Sequence, residues 1–165
     1  MTEQPASRRV PADAAALFNP AYCAAILHRV SSGYQSGSAN GLPYPLAFIA
    51  LPLILHTASA ECLPSSARVR LHSWLLGNPE VLVGLADRAR SLAPFVREAI
   101  AFGLKARVVQ FIEPDLLAPV SSVHVRQWEE RSYNVLTAKR AVVLGKLLSQ
   151  IREIPTVFTL FGVRP

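Results

Sequence analysis

The side chains with the widest chemical potential in this sequence are four histidines and two cysteines, and they are scattered along the chain. No histidine is followed at three or four residues by Cys, Asp or His, the spacing at which helical side chains share a metal ion. The two cysteines are 39 positions apart and form no CxxC pair. We therefore expect no metal site and two buried thiols in a reducing cytoplasm. These residues are His28, His56, His72, His124, Cys23 and Cys62.

No other group of residues suggests catalysis. Glu129-Glu130 is typical of a solvated helix face, and Ser121-Ser122 before His124 indicates a helix cap rather than a nucleophile and its base. Gly145-Lys146 lacks the preceding strand and glycine of a phosphate-binding loop. The sequence predicts a protein that is not an enzyme and uses no cofactor.

Positive charge is the second chemical feature. The net charge is +6, and 14 of the 17 basic residues are arginines. Arginine is favoured at phosphates and also at protein interfaces, so the charge leaves both kinds of partner open, as well as a basic surface without consequence. The candidate nucleic-acid contacts are Arg88, Arg97, Lys105 and Arg107, which we expect near one face of a helix-turn-helix. Glu98 would oppose phosphates there, so a protein-docking surface is at least as well supported.

The segment that would position these cations runs from Arg68 to Val120. Its pattern predicts three short helices, restarted by Asn78-Pro79 and capped again at Ser91, and then two strands around a turn at 113–115. Three helices followed by a hairpin are typical of a winged helix, in which the second and third helices form the helix-turn-helix and the hairpin forms the wing. Any three-helix unit with a hairpin would give the same pattern.

The segments before this core are predicted as a tail, a helix and an apolar run. Residues 1–18 are expected to be a mobile N-terminal tail. Asn19-Pro20 predicts a cap for a helix that ends near Ser32, followed by a loop at 34–41. Residues 42–55 are too short for a membrane span, which needs about 20 apolar residues. Because three prolines interrupt them, we expect a buried helix that starts near Pro45 and is kinked near Pro52.

The segments after the core are predicted as a long helix and an apolar tail. A stripe that includes Trp128 predicts one helix over about 122–151, which could buttress the fold or pair with another chain. Residues 154–165 are apolar, and we expect them to dock on this chain beside residues 42–55, with Phe158 and Phe161 as anchors. Trp128, Phe158 and Phe161 are the candidate docking or partner-interface residues.

Composition places the chain among globular proteins that have partners. Hydrophobic residues make up 51% of the chain and charged residues 17%, against a usual charged content of about 25%. A chain this apolar is expected to cover part of its surface with another subunit. The polar N-terminus argues against a secretory signal, so we expect a cytoplasmic protein. The predicted fold class is mainly α with a minor β component, in one domain over 19–165 whose winged-helix core is about 68–120.

Several separate blocks, in the same order, resemble the middle component of bacterial three-component ABC systems. The similarity covers 19–165 and leaves residues 1–18 outside. The blocks are Asn19–Tyr34, Gly41–His56, Leu71–Gly103 and Leu160–Pro165.

The resemblance implies a small cytoplasmic protein with a winged-helix-like core, encoded beside an SMC/Rad50-like ABC ATPase and a variable effector, often a nuclease. Such systems, Lamassu among them, look like defence modules against phages and plasmids. The function that follows is a non-catalytic adaptor between the ATPase and the effector, with DNA contacted only through the complex. The alternative from a different class is a free-standing winged-helix transcriptional regulator.

Overall fold

Helices make up most of the chain, and a small antiparallel sheet completes it. The computed structural model describes residues 18–164, apart from the side chain of Tyr133. The predicted N-terminal tail therefore lies outside the described residues except for Phe18. The fold class, mainly α with a minor β component, is confirmed. The helices are α1 (Pro20–Ser38), α2 (Ala47–Leu55), α3 (Thr57–Glu61), α4 (Leu71–Gly77), α5 (Leu85–Lys105), α6 (Val123–Glu130), α7 (Ser132–Leu148) and α8 (Ile154–Leu160). The strands are β1 (Leu42–Pro43), β2 (Val109–Glu113) and β3 (Leu116–Pro119).

Helix α1 lies at the centre and packs most extensively against α7, then against α5. It begins as predicted, because Asn19 Oδ1 accepts a hydrogen bond from the Ala21 N–H at 2.9 Å. The predicted end near Ser32 is wrong, since the helix continues to Ser38 and stops where Ala39 adopts a left-handed φ of 62°. Gly33, just beyond the predicted end, is buried in this helix.

The crossing of α1 and α7 explains why glycine is placed inside helices. A Cβ added at Gly33 would collide with the backbone carbonyl of Val142, and one added at Gly145 would collide with the carbonyl of Val30. The two backbones are therefore in direct contact, and burial of this crossing outweighs the low helix propensity of glycine.

The sheet has the order β1-β3-β2, and all its pairs are antiparallel. The predicted hairpin is present, with its turn at 114–115 between β2 and β3. Its third strand, β1, comes from the apolar run, where we predicted only helix. That run forms a strand, a 3-10 turn (Tyr44–Leu46) and then α2, which contains Pro52. His28 Nε2 lies 3.0 Å from the Val120 carbonyl and joins the end of the hairpin to α1.

The predicted helix boundaries inside 78–105 are wrong. Asn78 does not cap a second helix; its Nδ2 donates to the Trp74 carbonyl at 2.8 Å, and only a 3-10 turn (Pro79–Leu82) follows. The chain instead breaks at Gly84, whose φ is 65°, and α5 then runs without interruption past Ser91. A continuous buried face keeps α5 in one piece; it is formed by Leu85, Ala89, Val96, Ala99, Ile100 and Gly103.

The predicted single helix over 122–151 is also wrong. Arg131 has an extended ψ of 123° and separates α6 from α7, which ends at Leu148. Asn134, 1% exposed, holds the two helices at this break. Its N–H donates to the Arg131 carbonyl, and its Nδ2 donates to the Trp128 carbonyl, both at 2.8 Å.

The C-terminal residues form α8 and end in the core. Val157, Phe158 and Phe161 are buried in one hydrophobic cluster with residues of the 42–55 run and of α1. The Gln150 side chain fastens this end of the chain to the start of α4, since Oε1 accepts from the Leu71 N–H at 2.8 Å. None of the helices in the described residues is long and apolar enough to cross a membrane.

Candidate functional site

The four predicted nucleic-acid contacts do not share one face. Arg88 and Arg97 are nine residues apart on α5, which is two and a half helical turns, so their side chains leave opposite sides of the helix. Arg88 points towards the protein: Nη1 donates to the Val83 carbonyl at 2.7 Å and Nη2 to Ser59 Oγ at 3.3 Å. Arg88 therefore fastens the Gly84 turn to α3, a structural role that sequence reasoning missed.

Arg97 and Lys105 do lie on neighbouring sides of α5, about 12 Å apart along its axis. They are eight residues apart, about 80° around the helix, and both are exposed. The Arg97 guanidinium sits 5.6 Å from the centre of the Phe48 ring, a cation–π contact. Arg90 falls on the same side and pairs with Asp87 at 2.9 Å, but both side chains are largely exposed, so the pair adds little stability.

Arg107 follows α5 in a conformation that glycine normally supplies. Its φ is 53°. Its N–H donates to the Leu104 carbonyl at 3.2 Å, while the Val108 N–H donates to the Gly103 carbonyl at 2.8 Å, which together form a Schellman C-cap. A residue with a Cβ is strained at this position by about 1–2 kcal/mol relative to glycine. Strain of this kind is found disproportionately at functional sites.

Aromatic rings extend this face from α5 to the hairpin. Tyr44 lies edge-on to Phe48 with ring centres 5.2 Å apart, and 6.2 Å from Phe111 on β2. Phe111 is 39% exposed and its neighbour Ile112 is 46% exposed. Tyr44 and Phe48 both lie in the run 42–55, which was predicted to be buried. Their spacing of four residues was the available signal that they share one side of a turn of helix.

The hairpin tip carries acid rather than base. Glu113 and Asp115 flank the turn, and the Asp115 carbonyl accepts the Tyr44 N–H at 2.6 Å. Carboxylates at the tip disfavour contact with phosphates, whereas exposed apolar side chains beside them suit a protein surface. The face therefore has a basic half on α5 and an apolar, acidic half on the hairpin.

Trp128, a predicted partner-interface residue, lies in the wall of a cleft of about 890 Å³. The indole is half-buried and edge-on to Tyr22, with ring centres 5.7 Å apart. Phe102 and His124 also line the cleft. Its volume is within the range of about 300–1,000 Å³ that is usual for ligand pockets, and its walls are mainly apolar.

Phe158 and Phe161, the other predicted docking residues, are 5% and 1% exposed. Both rings are thus enclosed by this chain, and a partner would meet the outward side of α8. The sequence signal for them was strong, because residues 154–165 are largely apolar.

The buried titratable groups do not form a reactive site. Burial raises the pKa of the Cys23 thiol to about 12, which keeps it protonated at neutral pH. Burial also lowers the pKa of His28. The prediction that both cysteines are buried is wrong for Cys62, which is half-exposed and donates from Sγ to Glu80 Oε1 at 3.4 Å. Within residues 18–164, no three His, Cys, Asp or Glu side chains lie close enough to hold a metal ion.

Comparison with known families gives a match over most of the chain. The family described as ABC-three component (ABC-3C) system Middle Component 3 matches residues 7–165. This match starts 12 residues before the segment over which the sequence analysis found a resemblance. No curated protein and no solved structure is significantly similar to the chain.

Proposed function

The chain belongs to the Middle Component 3 family of ABC-three component systems, and we propose that it is the non-catalytic adaptor that joins an SMC/Rad50-like ABC ATPase to an effector such as a nuclease. The family match carries this proposal, because a middle component implies partner subunits. Exposed apolar side chains support it, since Phe111, Ile112 and Leu136 are each at least 39% exposed and a folded chain gains from having such side chains covered. Defence against phages or plasmids, in a Lamassu-type module, is the role we propose for the assembly.

A winged-helix core built from α1, α2, α5 and the sheet is part of the proposal. The order helix, strand, helix, helix, hairpin supports it, as does the pairing of β1 with the hairpin strand β3. In this assignment α5 is the recognition helix and the segment 57–82 is an insertion before it. The three helices of the winged helix are then α1, α2 and α5, and not the three that the sequence predicted between residues 71 and 105.

Nucleic acid is contacted by the basic half of the face, within the assembled complex. Arg97, Lys105 and Arg107 are the residues we assign to this contact. Arg88 is removed from the set because its guanidinium is engaged with Val83 and Ser59. The strained backbone at Arg107 supports the choice, because a glycine there would satisfy the fold better.

The salt dependence of DNA binding by the complex tests this assignment. Alanine at Arg97, Lys105 and Arg107 should lower the slope of log affinity against log salt by about three units, one for each lost phosphate contact. The control removes three exposed cations elsewhere, at Arg68, Arg152 and Arg164, and should leave the slope almost unchanged. If the variant with alanine at all three positions gave the same slope as the wild type, we would conclude that the whole face is a protein-docking surface.

Co-expression with the two genes that flank this one tests the adaptor role. We expect the subunit to behave poorly alone, to co-purify with both the ATPase and the effector, and to be required for their association. Phage plating efficiency should fall only when all three are present. Co-purification of ATPase and effector without this subunit would refute the adaptor role.

The alternative is a free-standing winged-helix regulator of transcription, favoured by the basic half of the face. A regulator should be a soluble homodimer that binds a defined operator by itself. Size-exclusion chromatography and DNA binding by the isolated chain distinguish the two functions.

A further inference from the structure

Helix α7 presents an apolar and basic surface that begins at the edge of its contact with α1 and extends outward. Its inner side, which includes Ala141, Leu144 and Leu148, is buried. On its outer side, Val135 and Leu136 are 38% and 54% exposed. These two residues begin parallel stripes along the helix. One stripe is Val135, Lys139, Val142 and Lys146, and the other is Leu136, Arg140 and Val143.

A groove of about 420 Å³ runs beside these stripes. Val135, Val142 and Val143 contribute apolar lining, and Ser65 also lines the groove. Among the lining residues Glu129 is the one acid, and it is paired with Arg29. The apolar part of the groove suits apolar side chains of a partner.

The charges that α7 itself places beside the groove are all positive, and the acid among the lining residues, Glu129, is paired with Arg29. Helix α7 carries Lys139, Arg140 and Lys146 and no acidic residue in its 17 positions. The cations alternate with apolar side chains at helical spacing, so a complementary segment should present apolar anchors flanked by carboxylates at the same spacing. Phosphate would be a poor occupant, because binding it would leave the valines and Leu136 uncovered.

We infer that this α7 groove receives an acidic amphipathic helix of another subunit of the same three-component system. The inference rests on the proposed adaptor function and names the surface that performs it. The contact is separate from the α5 face, so one chain would hold nucleic acid and a protein partner on different surfaces.

Assembly of the purified, co-expressed subunits tests the groove. Substitution of Val135→Ser with Leu136→Ser should weaken the affinity for one partner subunit about tenfold or more, as expected for loss of apolar anchors. The matched control, Leu76→Ser with Val83→Ser, removes two side chains that are 70% and 71% exposed elsewhere and should assemble normally. Thermal unfolding should be nearly the same for both variants, because all four side chains are exposed.

Charge reversal gives an independent readout. Lys139→Glu with Lys146→Glu should weaken the same contact at least tenfold, and added salt should no longer weaken it as it does in the wild type, whereas Arg68→Glu with Arg152→Glu should do neither. Normal assembly of both groove variants would overturn the inference and leave the adaptor function intact. Failure of the wild-type subunits to associate would overturn both. A wild-type homodimer that becomes monomeric when Val135 and Leu136 are changed would identify a second copy, and not a partner subunit, as the occupant.

Discussion

Two glycines determine how closely α1 and α7 approach each other. Gly33 and Gly145 each face a backbone carbonyl of the other helix, at a distance that excludes a methyl group. Interiors packed to crystal-like density have no room to absorb such a group without moving a backbone. Because α1 is central to the fold, displacement at this crossing would also disturb α5 and the sheet.

We expect Gly33→Ala and Gly145→Ala each to lower the free energy of unfolding by about 1–3 kcal/mol, the usual effect of overpacking. The higher helix propensity of alanine offsets this by at most about 1 kcal/mol. Gly77→Ala is the matched control, since an added Cβ there has no neighbour within 4 Å. Urea denaturation of the three variants provides the comparison, and unchanged midpoints for both buried positions would contradict the close approach.

His28 makes stability depend on pH. Burial lowers its pKa in the folded state, so the unfolded chain binds the proton more readily. The stability from the neutral ring is therefore complete above the unfolded pKa of about 6.5 and is lost as the pH falls below it.

Thermal unfolding between pH 8 and pH 5 should show this loss. His28→Gln, which retains a donor for the Val120 carbonyl, should flatten the dependence. His56 has its pKa shifted in the same direction, so the difference between the variant and the wild type isolates His28. A variant that loses stability as steeply as the wild type would assign the effect to other groups.

At the scale of elements, composition and hydrophobic period predicted most of the helical segments but not where each helix ends, and they missed the helices α3 and α8. The hairpin and the Asn19 cap could be predicted because turn and cap signals are local. The two helix breaks could not be predicted, because each depends on contacts between distant or buried groups. The break at Gly84 depends on packing against α3, and the break at Arg131 depends on the buried Asn134. The basic residues could be identified from the sequence. Which of them share a face could not be predicted, because that depends on where α5 begins and on which of its sides is buried.

The C-cap of α5 offers a direct test of stored strain. Arg107→Gly should raise the free energy of unfolding by about 1 kcal/mol, because glycine adopts a positive φ without penalty. If Arg107 also contacts nucleic acid, the same variant should bind DNA more weakly in the complex. Arg107→Ala separates the two effects, since it loses the contact but keeps the strain. Equal or lower stability of the glycine variant would contradict the left-handed conformation.

At the scale of the whole molecule, segments far apart in sequence close around one hydrophobic cluster. α8 adds its buried side chains to a core formed by α1, α2 and α4. The sheet likewise needs β1, which lies well before the predicted winged-helix core. Neither dependence is visible in a local pattern. This explains why the expected core at 68–120 leaves out strands and helices on which it rests.

The C-terminal residues should accordingly be required for folding of the isolated subunit. Deletion of residues 156–165 removes Val157, Phe158 and Phe161 from the core, and Phe161→Ala alone should cost about 3–5 kcal/mol out of a total stability of about 5–15 kcal/mol. Thr159→Ala, on the exposed side of α8, is the matched control and should change stability by less than about 0.5 kcal/mol.

Circular dichroism and co-purification with the ATPase give the two readouts. Loss of both folding and assembly is the expected result, since the deletion removes core side chains together with the outward side of α8 that a partner would meet. A truncated chain that stays folded but no longer assembles would place these residues in the partner interface, and one that folds and assembles normally would refute both roles.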